Sequence, residues 1–436
     1  MLRFAPSPSG EMTIGDLRTA LVNYLVAQQR SDGFIVRIAD INKAETIEGK
    51  DTEIMQILEK FALIHTSVFH QSEHLHMHQT LAIKLLEEGK AFVCTCTQEE
   101  YAQENASAKV NKQSYPCLGD CEQLDKSEYA RLKTSGEPFV IRLKKPSHDI
   151  VYHDLLRGKI CTPADDMDAS VILHTDTTPS YNFACACDDM LSGVTTIICD
   201  ESSPENTPEQ IHIKTALNYD EKTEYLHLPN YIDKKGKKIS KSDDGFLLKW
   251  LFKEGFVPDA IINYLLLLDA PYAPQEIFTL PEAIEWFNIN HIPSSAVIFD
   301  IEKLRAINRE HLRRMDDKIL STLFGFADAD IGKLAKLYLE DASTVKELST
   351  KIDAIFAPKN FQGTWAKQMR TMETLIQNAP MFSDFSAFES YLLKESGLQG
   401  KAFFKALRLL LTGAEDGPEL SDIYPFIKSY IMEIAS

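Results

Sequence analysis

The sequence predicts an α/β protein with a parallel sheet of the doubly wound type, followed by an all-helical region. In the first 90 residues, short apolar segments alternate with segments whose apolar residues recur at helical spacing. After Gly245, almost every segment has helical spacing instead. With 436 residues the chain is too long for one compact core, so roughly two to four domains are expected.

The first elements follow in the order strand, helix, strand, helix. LRFAP gives the first strand, and FIVRIAD alternates well enough to give the second. The helix between them has apolar residues at helical spacing from Leu17 to Leu25. The helix after the second strand has them from Ile54 to Phe61. This order is typical of a parallel sheet with crossover helices.

An inserted module is predicted next, because the chain becomes polar and irregular between about residues 97 and 140. PFVIRLKKP and HDIVYHDLLRGKI are predicted to be strands of this module. ASVILHTDTTPSYNFACACDDML returns to a strand followed by a helix, and VTTIICDES is a further buried strand. The α/β fold therefore resumes there and ends with a strand in YLHLPN and a basic loop, KKGKKISK.

Composition argues against several classes of protein. No apolar run reaches the roughly 18 residues that span a membrane, and no secretory signal pattern is present, so we expect a cytoplasmic protein without a membrane partner. The formal net charge of −18 argues against nucleic-acid binding through bulk charge, although KKGKKISK offers a local basic patch. The eight cysteines fit reduced thiols or metal ligands better than a disulfide framework.

Two segments have the composition of phosphate-binding sites. After the first strand, Gly10 and Gly15 allow close backbone approach, and the helix beginning near Gly15 directs free N–H groups at a ligand. In KISKS, Lys238 and Lys241 are spaced to neutralise the charge that grows as a triphosphate becomes pyrophosphate. The alternatives are a plain strand–turn–helix connection for the first segment and a solvated surface loop for the second.

Longer motifs give the chain a family resemblance. RFAPSPSG, RIADINKAETIEGKDTEI, QSE, PSYNFACACDDML, ENTPEQI and LRLLLTGAEDGPEL follow one another from end to end. Together with KISKS they closely resemble the bacterial glutamyl-tRNA synthetases, which are class I aminoacyl-tRNA synthetases. The resemblance implies a Rossmann-like catalytic domain with an inserted α+β acceptor-stem module, followed by an all-α C-terminal anticodon-binding region.

The same resemblance implies domain boundaries. The Rossmann-like domain is expected at 1–84 and 179–244, where it ends in the KISKS loop, with the acceptor-stem module inserted at 85–178. A helical stem-contact region is expected at 245–310, and the α-helical anticodon-binding region at 311–436. The resemblance also implies a monomer that binds tRNA.

An activity and a set of site residues are also implied by the resemblance. Glutamate and ATP, with Mg²⁺, would form glutamyl-adenylate, and the glutamyl group would pass to the 3′ end of a glutamate-type or glutamine-type tRNA. The implied catalytic residues are Lys238 and Lys241. The implied ATP-binding residues are Pro6, Ser7, Gly10, Thr13, Gly15, Asp16, Lys238, Ser240 and Lys241. The implied substrate-binding residues are Arg3, Ser7, Ala39, Tyr181, Asn182 and Cys199, with Arg3 on the side-chain carboxylate of glutamate.

The sequence departs from the family pattern at four of these positions. Thr13 stands where the family has a histidine that holds ATP phosphates, and Asp16 replaces a small or amide residue. Ala39 stands where an acidic residue meets the α-amino group, and Cys199 where an arginine meets the α-carboxylate region. Losing two charged hydrogen bonds of roughly 1.5–3 kcal/mol each would lower kcat/KM by on the order of 10²–10⁴ unless other residues replace them.

Four cysteines have the spacing of a structural zinc site. Cys94 and Cys96, and then Cys117 and Cys121, can supply four thiolates to a closed tetrahedral site in the insertion. Many family members carry a metal site here, and some have a tyrosine where Cys117 stands. Unliganded thiols are the alternative interpretation.

The other candidate metal ligands are expected to have structural roles. Cys185 and Cys187 are expected on a strand, as small buried residues. His74, His76 and His78 alternate on a predicted helix. Because residues i and i+2 do not share a helix face, the three histidines do not predict a metal site.

Three functions are compatible with these residues. The first is a glutamate–tRNA ligase or close paralogue, in which Asp200 or Glu201 could recover the contact to the amino group. The second keeps the fold but activates a different carboxylic acid, held at one end by Arg3. The third is a catalytically impaired tRNA-binding or regulatory protein, which the altered pocket favours and the intact KISKS argues against.

Overall fold

The structure is a computed structural model that describes residues 1–96, 121–124, 127–201, 205–239 and 244–435. Within these residues the chain divides into two compact units. The first unit contains Met1–Leu248, Leu265–Pro274 and Leu280–Phe299. The second contains Lys249–Tyr264, Gln275–Thr279 and the chain from Asp300 onwards.

The first unit contains the strands. They are β1 (Leu2–Phe4), β2 (Phe34–Ile38), β3 (Ser67–His70), β4 (Ala91–Cys94), β5 (Val140–Leu143), β6 (Ile150–Asp154), β7 (Gly158–Thr162), β8 (Val171–Leu173), β9 (Thr196–Asp200), β10 (Glu224–Leu228), β11 (Tyr231–Ile232) and β12 (Val297–Ile298). Among the described residues, the main sheet has seven strands in the order β3-β2-β1-β9-β10-β6-β7. Its neighbouring strands are parallel except β6 and β7, which confirms the predicted parallel α/β fold.

Helices connect these strands and form the second unit. They are α1 (Ile14–Arg30), α2 (Lys50–Lys60), α3 (Leu75–Glu87), α4 (Glu128–Ser135), α5 (Tyr181–Leu191), α6 (Asn206–Ala216), α7 (Leu248–Glu254), α8 (Pro258–Asp269), α9 (Leu280–Trp286), α10 (Ile301–Arg314), α11 (Asp317–Thr322), α12 (Asp330–Leu337), α13 (Val345–Phe356), α14 (Ala366–Gln377), α15 (Phe385–Ser396), α16 (Gly400–Thr412), α17 (Leu420–Ile427) and α18 (Ile431–Ile434). The predicted apolar faces of α1 and α2 are buried, as shown by Leu17, Leu25, Ile54 and Phe61. The all-helical character predicted for the later part of the chain is thus confirmed.

The strand order reverses direction beside β1. From β1 the chain proceeds outward to β2 and β3, and it later returns to place β9 on the other side of β1. In open parallel sheets, ligands bind at the carboxyl ends of the strands where the order reverses. The topology therefore places a ligand crevice just beyond Phe4 and Asp200.

Two strands predicted for the insertion lie elsewhere. β4, β5 and β8 form a separate antiparallel sheet, but β6 and β7 extend the main sheet beside β10. A tertiary contact holds β6 beside β10: Asp154 at the end of β6 accepts a hydrogen bond of 3.0 Å from the backbone N–H of His227 on β10. Strand alternation does not reveal which sheet a strand joins, so this assignment was wrong. The finer domain boundaries stay predictions.

Cys185 and Cys187 lie on α5, so the strand expected for them was wrong. Ser180 caps the helix by accepting a hydrogen bond from the N–H of Phe183 at 3.4 Å, and small residues follow it. Both thiols are buried, as expected. Because the helix is buried all round, its apolar residues fit the two-residue period of a strand as well as the 3.6-residue period of a helix. The sequence pattern therefore does not distinguish the two.

The second unit consists of packed helices in which close backbone approach requires glycine. Gly413 ends α16 with a φ of 69°, in the left-handed region that favours glycine. A Cβ atom there would lie 2.5 Å from the carbonyl oxygen of Ala354. The LRLLLTG motif thus closes a helix against its neighbour. No helix in the described part of the chain is both long and apolar enough to cross a membrane.

Candidate active site

A crevice of about 270 Å³ lies at the carboxyl ends of β1 and β9. Pro6 and Ser7 line it after β1, Cys199 and Asp200 line it at the end of β9, and Tyr181 lines it from the start of α5. Small-molecule sites typically occupy about 300–1,000 Å³, so this crevice lies just below that range and suits a small ligand. We refer to it as the first crevice.

Two buried arginines line the first crevice and share one carboxylate. Arg3 on β1 and Arg37 on β2 are 7% and 2% exposed. Arg3 Nε donates to Asp189 Oδ1 at 3.1 Å, and an Arg37 terminal nitrogen donates to the same oxygen at 2.6 Å. Among the described residues, Arg37 Nε and Asp189 Oδ2 have no hydrogen-bond partner. The arginine pair therefore retains hydrogen-bonding capacity toward a further group.

Asp189 and the groups around it are ionised in a buried place. Burial disfavours the ionised form of Asp189, but Arg3 and Arg37 outweigh burial and lower its pKa, so it is a carboxylate. Burial lowers the pKa of nearby Lys214, and repulsion from the arginines adds to this. Asp188 is a second carboxylate near Arg37, so the two guanidinium groups have two acidic neighbours. The buried N–H of Arg37 Nε, which has no partner among the described residues, makes the first crevice complementary to a carboxylate ligand.

A histidine lies beside Cys199 on the neighbouring strand. His227 on β10 is directly paired with Cys199 on β9, so their side chains are neighbours. His227 Nδ1 lies 2.7 Å from Asp154 Oδ2, and His227 Nε2 lies 2.8 Å from Thr207 Oγ1. Burial favours the neutral ring, but hydrogen bonds to Asp154 and Cys199 outweigh burial and raise the pKa of His227 to about 9. His227 is therefore an imidazolium at neutral pH.

A second crevice of about 490 Å³ adjoins the first, and Asp16, Thr19 and Asp200 line both. Its other walls include Thr13 and Gly15 at the start of α1, and Lys238 beyond β11. The two motifs that resemble phosphate-binding segments are therefore brought to one cavity. Ser240 and Lys241, which belong to the second motif, lie outside the described residues.

The opening turn is held by a capping box. Asp16 N donates to Thr13 Oγ1 at 3.2 Å, while Thr13 N and Thr13 Oγ1 both donate to Asp16 Oδ2 at 2.8 Å. This reciprocal arrangement satisfies donors at the start of α1. Thr13 and Asp16, which depart from the family pattern together, therefore act as a pair that fixes the helix N-terminus.

Arg18 joins the two walls of the second crevice. It is 3% exposed, and its Nε donates to Asp269 Oδ2 at 2.9 Å. One of its terminal nitrogens donates to the carbonyl oxygen of Pro229, and its guanidinium lies 4.4 Å from the centre of the Tyr231 ring. Arg18 therefore fixes α1 against the segment that leads to Lys238.

Comparison with known proteins identifies this arrangement. The family model described as the catalytic domain of class I tRNA synthetases (E and Q) matches residues 1–306. The chain belongs to the class I tRNA synthetases for glutamate and glutamine. The synthetase is 58% identical to glutamate–tRNA ligase 2 of Sulfurovum sp. over 436 residues, and 48% identical to glutamate–tRNA ligase 1 of Nitratiruptor sp. over 434 residues. All of both chains is covered in each comparison.

A solved structure has the same fold. The crystal structure of a glutamate tRNA ligase from Elizabethkingia meningosepticum, in complex with its amino acid, matches with a TM-score of 0.81 and 25% identity. The match covers 99% of this synthetase and 97% of that chain. The family resemblance and the class I fold predicted from the motifs are therefore confirmed.

The structure gathers most of the predicted site residues at the two crevices. Those lining the first are Arg3, Pro6, Ser7, Gly10, Asp16, Tyr181 and Cys199, and those lining the second are Thr13, Gly15, Asp16 and Lys238. Ala39 and Asn182 are described but line neither. Asn182 instead joins α5 to α6, because its Nδ2 donates to Glu209 Oε2 at 2.6 Å and its Oδ1 accepts from Gln210 Nε2 at 3.0 Å.

Sequence reasoning missed Arg37, Asp189 and His227. An arginine inside the otherwise apolar strand FIVRI was a usable signal, because a buried charge requires a partner or a ligand. Asp189 and His227 gave no comparable signal. Their significance depends on which strands and helices meet in the fold.

The synthetase's cysteine cluster fits a zinc ion. The Sγ atoms of Cys94, Cys96 and Cys121 all lie within 4.8 Å of one another, and those of Cys96 and Cys121 are 3.9 Å apart. Four zinc–sulfur bonds of about 2.3 Å in a tetrahedron place the sulfurs about 3.8 Å apart. Cys117, the fourth predicted ligand, lies outside the described residues.

The histidine run forms a second cluster that sequence reasoning overlooked. His74 and His78, four residues apart, both contact Asp188 Oδ1, at 2.9 Å from Nδ1 and 2.8 Å from Nε2 respectively. Gln71 Nε2 donates to the other oxygen of Asp188 at 2.8 Å. His76 is exposed, as expected for a residue two positions away from each of the other two histidines on a helix. His74 and His78 are four residues apart and therefore share a helix face. These contacts brace α3 against α5.

Proposed function

We propose that this synthetase is a glutamate–tRNA ligase. In the first step an oxygen of the glutamate α-carboxylate attacks the α-phosphorus of ATP, which forms glutamyl-adenylate and releases pyrophosphate. In the second step a hydroxyl of the terminal tRNA ribose attacks the acyl carbon and releases AMP. Neither step requires a side-chain nucleophile, so positioning and charge stabilisation carry the catalysis.

The buried Arg37 Nε, which has no partner among the described residues, is the observation that carries this proposal, together with the neighbouring Arg3 in the same crevice. A glutamate side-chain carboxylate can accept a charged hydrogen bond from this donor. Such a bond contributes roughly 1.5–3 kcal/mol. Glutamine, with its neutral amide, offers a weaker acceptor and is therefore disfavoured.

Asp200 is our candidate for the contact to the α-ammonium group, in place of the acidic residue missing at Ala39. Glu201 is already engaged, because its Oε1 accepts from Asn230 N at 2.9 Å and from Asn230 Nδ2 at 2.7 Å, and it pairs with Arg157. Asp200 is exposed and lines both crevices. A carboxylate there reaches an ammonium group placed between the glutamate side chain and ATP.

The second crevice suits the phosphates of ATP, which would enter as the Mg²⁺ complex. The N-terminus of α1 offers the positive end of a helix dipole, and Lys238 adds a full charge. Because Thr13 is engaged in the capping box, we propose that it orients α1 instead of replacing the family's phosphate-binding histidine. Lys241 is proposed as the second cation on the basis of its motif.

Further parts of the chain are assigned on the family pattern. We propose that 1–84 and 179–244 form the catalytic domain, that 85–178 binds the acceptor stem, and that the cysteine cluster holds a structural zinc ion. We propose that 245–310 contacts the tRNA stem and that 311–436 binds the anticodon of a glutamate-type or glutamine-type tRNA. The proposed state is a cytoplasmic monomer.

ATP–pyrophosphate exchange with a panel of acids, in the presence and absence of tRNA, tests the proposal. Glutamate should support exchange, and glutamine and aspartate should be at least about 10²-fold poorer in kcat/KM, because glutamine lacks the charge and the aspartate carboxylate is one methylene short of the charged contact. Exchange with another acid but not with glutamate would contradict the proposal. Retention of tRNA without any ATP–pyrophosphate exchange would also contradict the proposal.

A lysine pair on one loop provides a matched control. Lys238 lines the second crevice, whereas Lys237 is also exposed but does not line it. Lys238→Ala should lower kcat for exchange by on the order of 10²-fold, because the lost charge acts on the developing pyrophosphate. Lys237→Ala should stay within about twofold of the unaltered enzyme. Equal effects of the two substitutions would show that Lys238 has no special role.

A further inference from the structure

Cys199 is the one departure from the family pattern that adds a reactive group to the first crevice. It is half-buried and lines that crevice, and the parallel register places it directly beside His227. On its far side His227 is bound to Asp154 at 2.7 Å. A thiol, an imidazole and a carboxylate therefore follow one another across β9, β10 and β6.

We propose that Cys199 is a peroxide-reactive thiol, activated by the His227–Asp154 pair, whose oxidation closes the amino-acid crevice. The thiolate is the reactive form of cysteine, and a neighbouring imidazolium favours it. Asp154 orients the ring and sustains its charge, because burial is outweighed by the hydrogen bonds to Asp154 and Cys199 and the pKa of His227 rises to about 9. The assignment of the crevice to glutamate is the only part that rests on the proposed function.

The proposed reaction converts the thiol to a sulfenic acid. The thiol proton is released to solvent, because the protonated ring of His227 has no free acceptor, and the thiolate sulfur attacks one oxygen of hydrogen peroxide. A sulfur–oxygen bond forms as the oxygen–oxygen bond breaks, and the departing hydroxide takes a proton to become water. Sulfur is oxidised by two electrons and peroxide is reduced. A dithiol reductant reverses the change, yielding the thiol, a disulfide of the reductant and water.

The described thiols outside the cysteine cluster lack this combination of exposure and cationic neighbour. Cys185 and Cys187 are buried, and desolvation raises the pKa of each. Cys161 on β7 is exposed, but its neighbour is the carboxylate of Asp149, 4.0 Å from its Sγ atom, and not a cation. If exposure alone governed reactivity, Cys161 would react first. The proposal predicts the opposite order.

A sulfenic acid at Cys199 would interfere with the crevice in two ways. The added oxygen occupies part of a cavity of only about 270 Å³. It also places a polar group between Asp200 and the arginine pair, where the ligand's backbone atoms are proposed to lie. Glutamate binding and oxidation should therefore exclude each other.

The test combines peroxide treatment, trapping of sulfenic acids with a cyclic 1,3-diketone, and peptide mass mapping of the full-length enzyme. We expect the Cys199 peptide to be labelled at least about tenfold faster than the Cys161 peptide, and glutamate to slow labelling of Cys199 only. Exchange activity should fall in parallel and return after dithiol treatment. Equal or faster labelling of the Cys161 peptide would overturn the proposal.

Variants separate the thiol's reactivity from its place in the crevice. Cys199→Ser should retain its own starting activity after peroxide, whereas Cys161→Ser should lose activity as the unaltered enzyme does. His227→Gln should slow alkylation of Cys199 by about tenfold without changing that of Cys161. If Cys199 is labelled rapidly but glutamate gives no protection, the glutamate assignment fails while the reactive thiol stands. Peroxide inactivation of Cys199→Ser would refute the switch.

Discussion

Replacing Arg37 with glutamine tests the electrostatic account of the first crevice most closely. The substitution removes one of the two guanidinium groups bound to Asp189 Oδ1 and leaves the Arg3 contact in place. The crevice then loses the unpartnered guanidinium donor of Arg37, so one charged interaction with the ligand carboxylate is lost. At roughly 1.5–3 kcal/mol, this corresponds to about a 10- to 150-fold fall in kcat/KM for glutamate.

The assay is ATP–pyrophosphate exchange at varied glutamate and, separately, at varied ATP. We expect Arg37→Gln to raise the KM for glutamate while leaving the KM for ATP within about threefold, because the second crevice is untouched. Arg30→Gln is the matched control, since Arg30 is half-exposed and pairs with Glu224 outside both crevices. An unchanged kcat/KM for glutamate in Arg37→Gln would refute the reasoning.

Three further predictions concern stability and metal content. Thr13→Ala should lower the unfolding free energy by about 0.5–2 kcal/mol through loss of the capping box, whereas Thr13→Ser should retain it, as thermal unfolding would show. Elemental analysis should find about one zinc ion per chain in the unaltered enzyme and in Cys161→Ser, but much less in Cys121→Ser. Between pH 7 and 9.5 the unfolding free energy should fall by about 1–3 kcal/mol more in the unaltered enzyme than in His227→Gln, measured by denaturant titration.

The sign of the pH effect follows from the raised pKa of His227. Its ring is protonated in the folded enzyme up to about pH 9, but only to about pH 6.5 in the unfolded chain. The pair with Asp154 is therefore fully stabilising below about pH 6.5 and is lost as the pH rises through 9. Parallel pH profiles for the unaltered enzyme and His227→Gln would contradict this assignment.

Equal stability of Thr13→Ala and Thr13→Ser would contradict the role of the capping box. An unchanged zinc content in Cys121→Ser would contradict the zinc site.

Much of the fold was predictable because it depends on local patterns. The periodicity of α1 and α2 and the buried strands LRFAP and FIVRIAD were readable from the sequence. β6 and β7 were recognised as strands but assigned to the wrong sheet, because strand pairing depends on distant residues. The parallel pairing of β6 with β10 brings together residues that lie far apart in the chain.

The site was predictable to the extent that its residues lie in motifs. Arg3 and Lys238 were found in this way, and both line a crevice. The T-x-x-D spacing of the capping box was readable locally but was interpreted only as a loss of phosphate contacts. The sharing of Asp189 by two arginines was not readable, because it requires β1, β2 and α5 to meet.

Transfer of labelled glutamate to bacterial tRNA tests the central claim most directly. The account predicts acid-precipitable glutamyl-tRNA that requires ATP and forms at least about 10²-fold more efficiently than glutaminyl-tRNA, because only glutamate accepts a charged hydrogen bond from the arginine pair. Comparable transfer of glutamine, or no transfer of glutamate by a folded enzyme that retains tRNA, would contradict it.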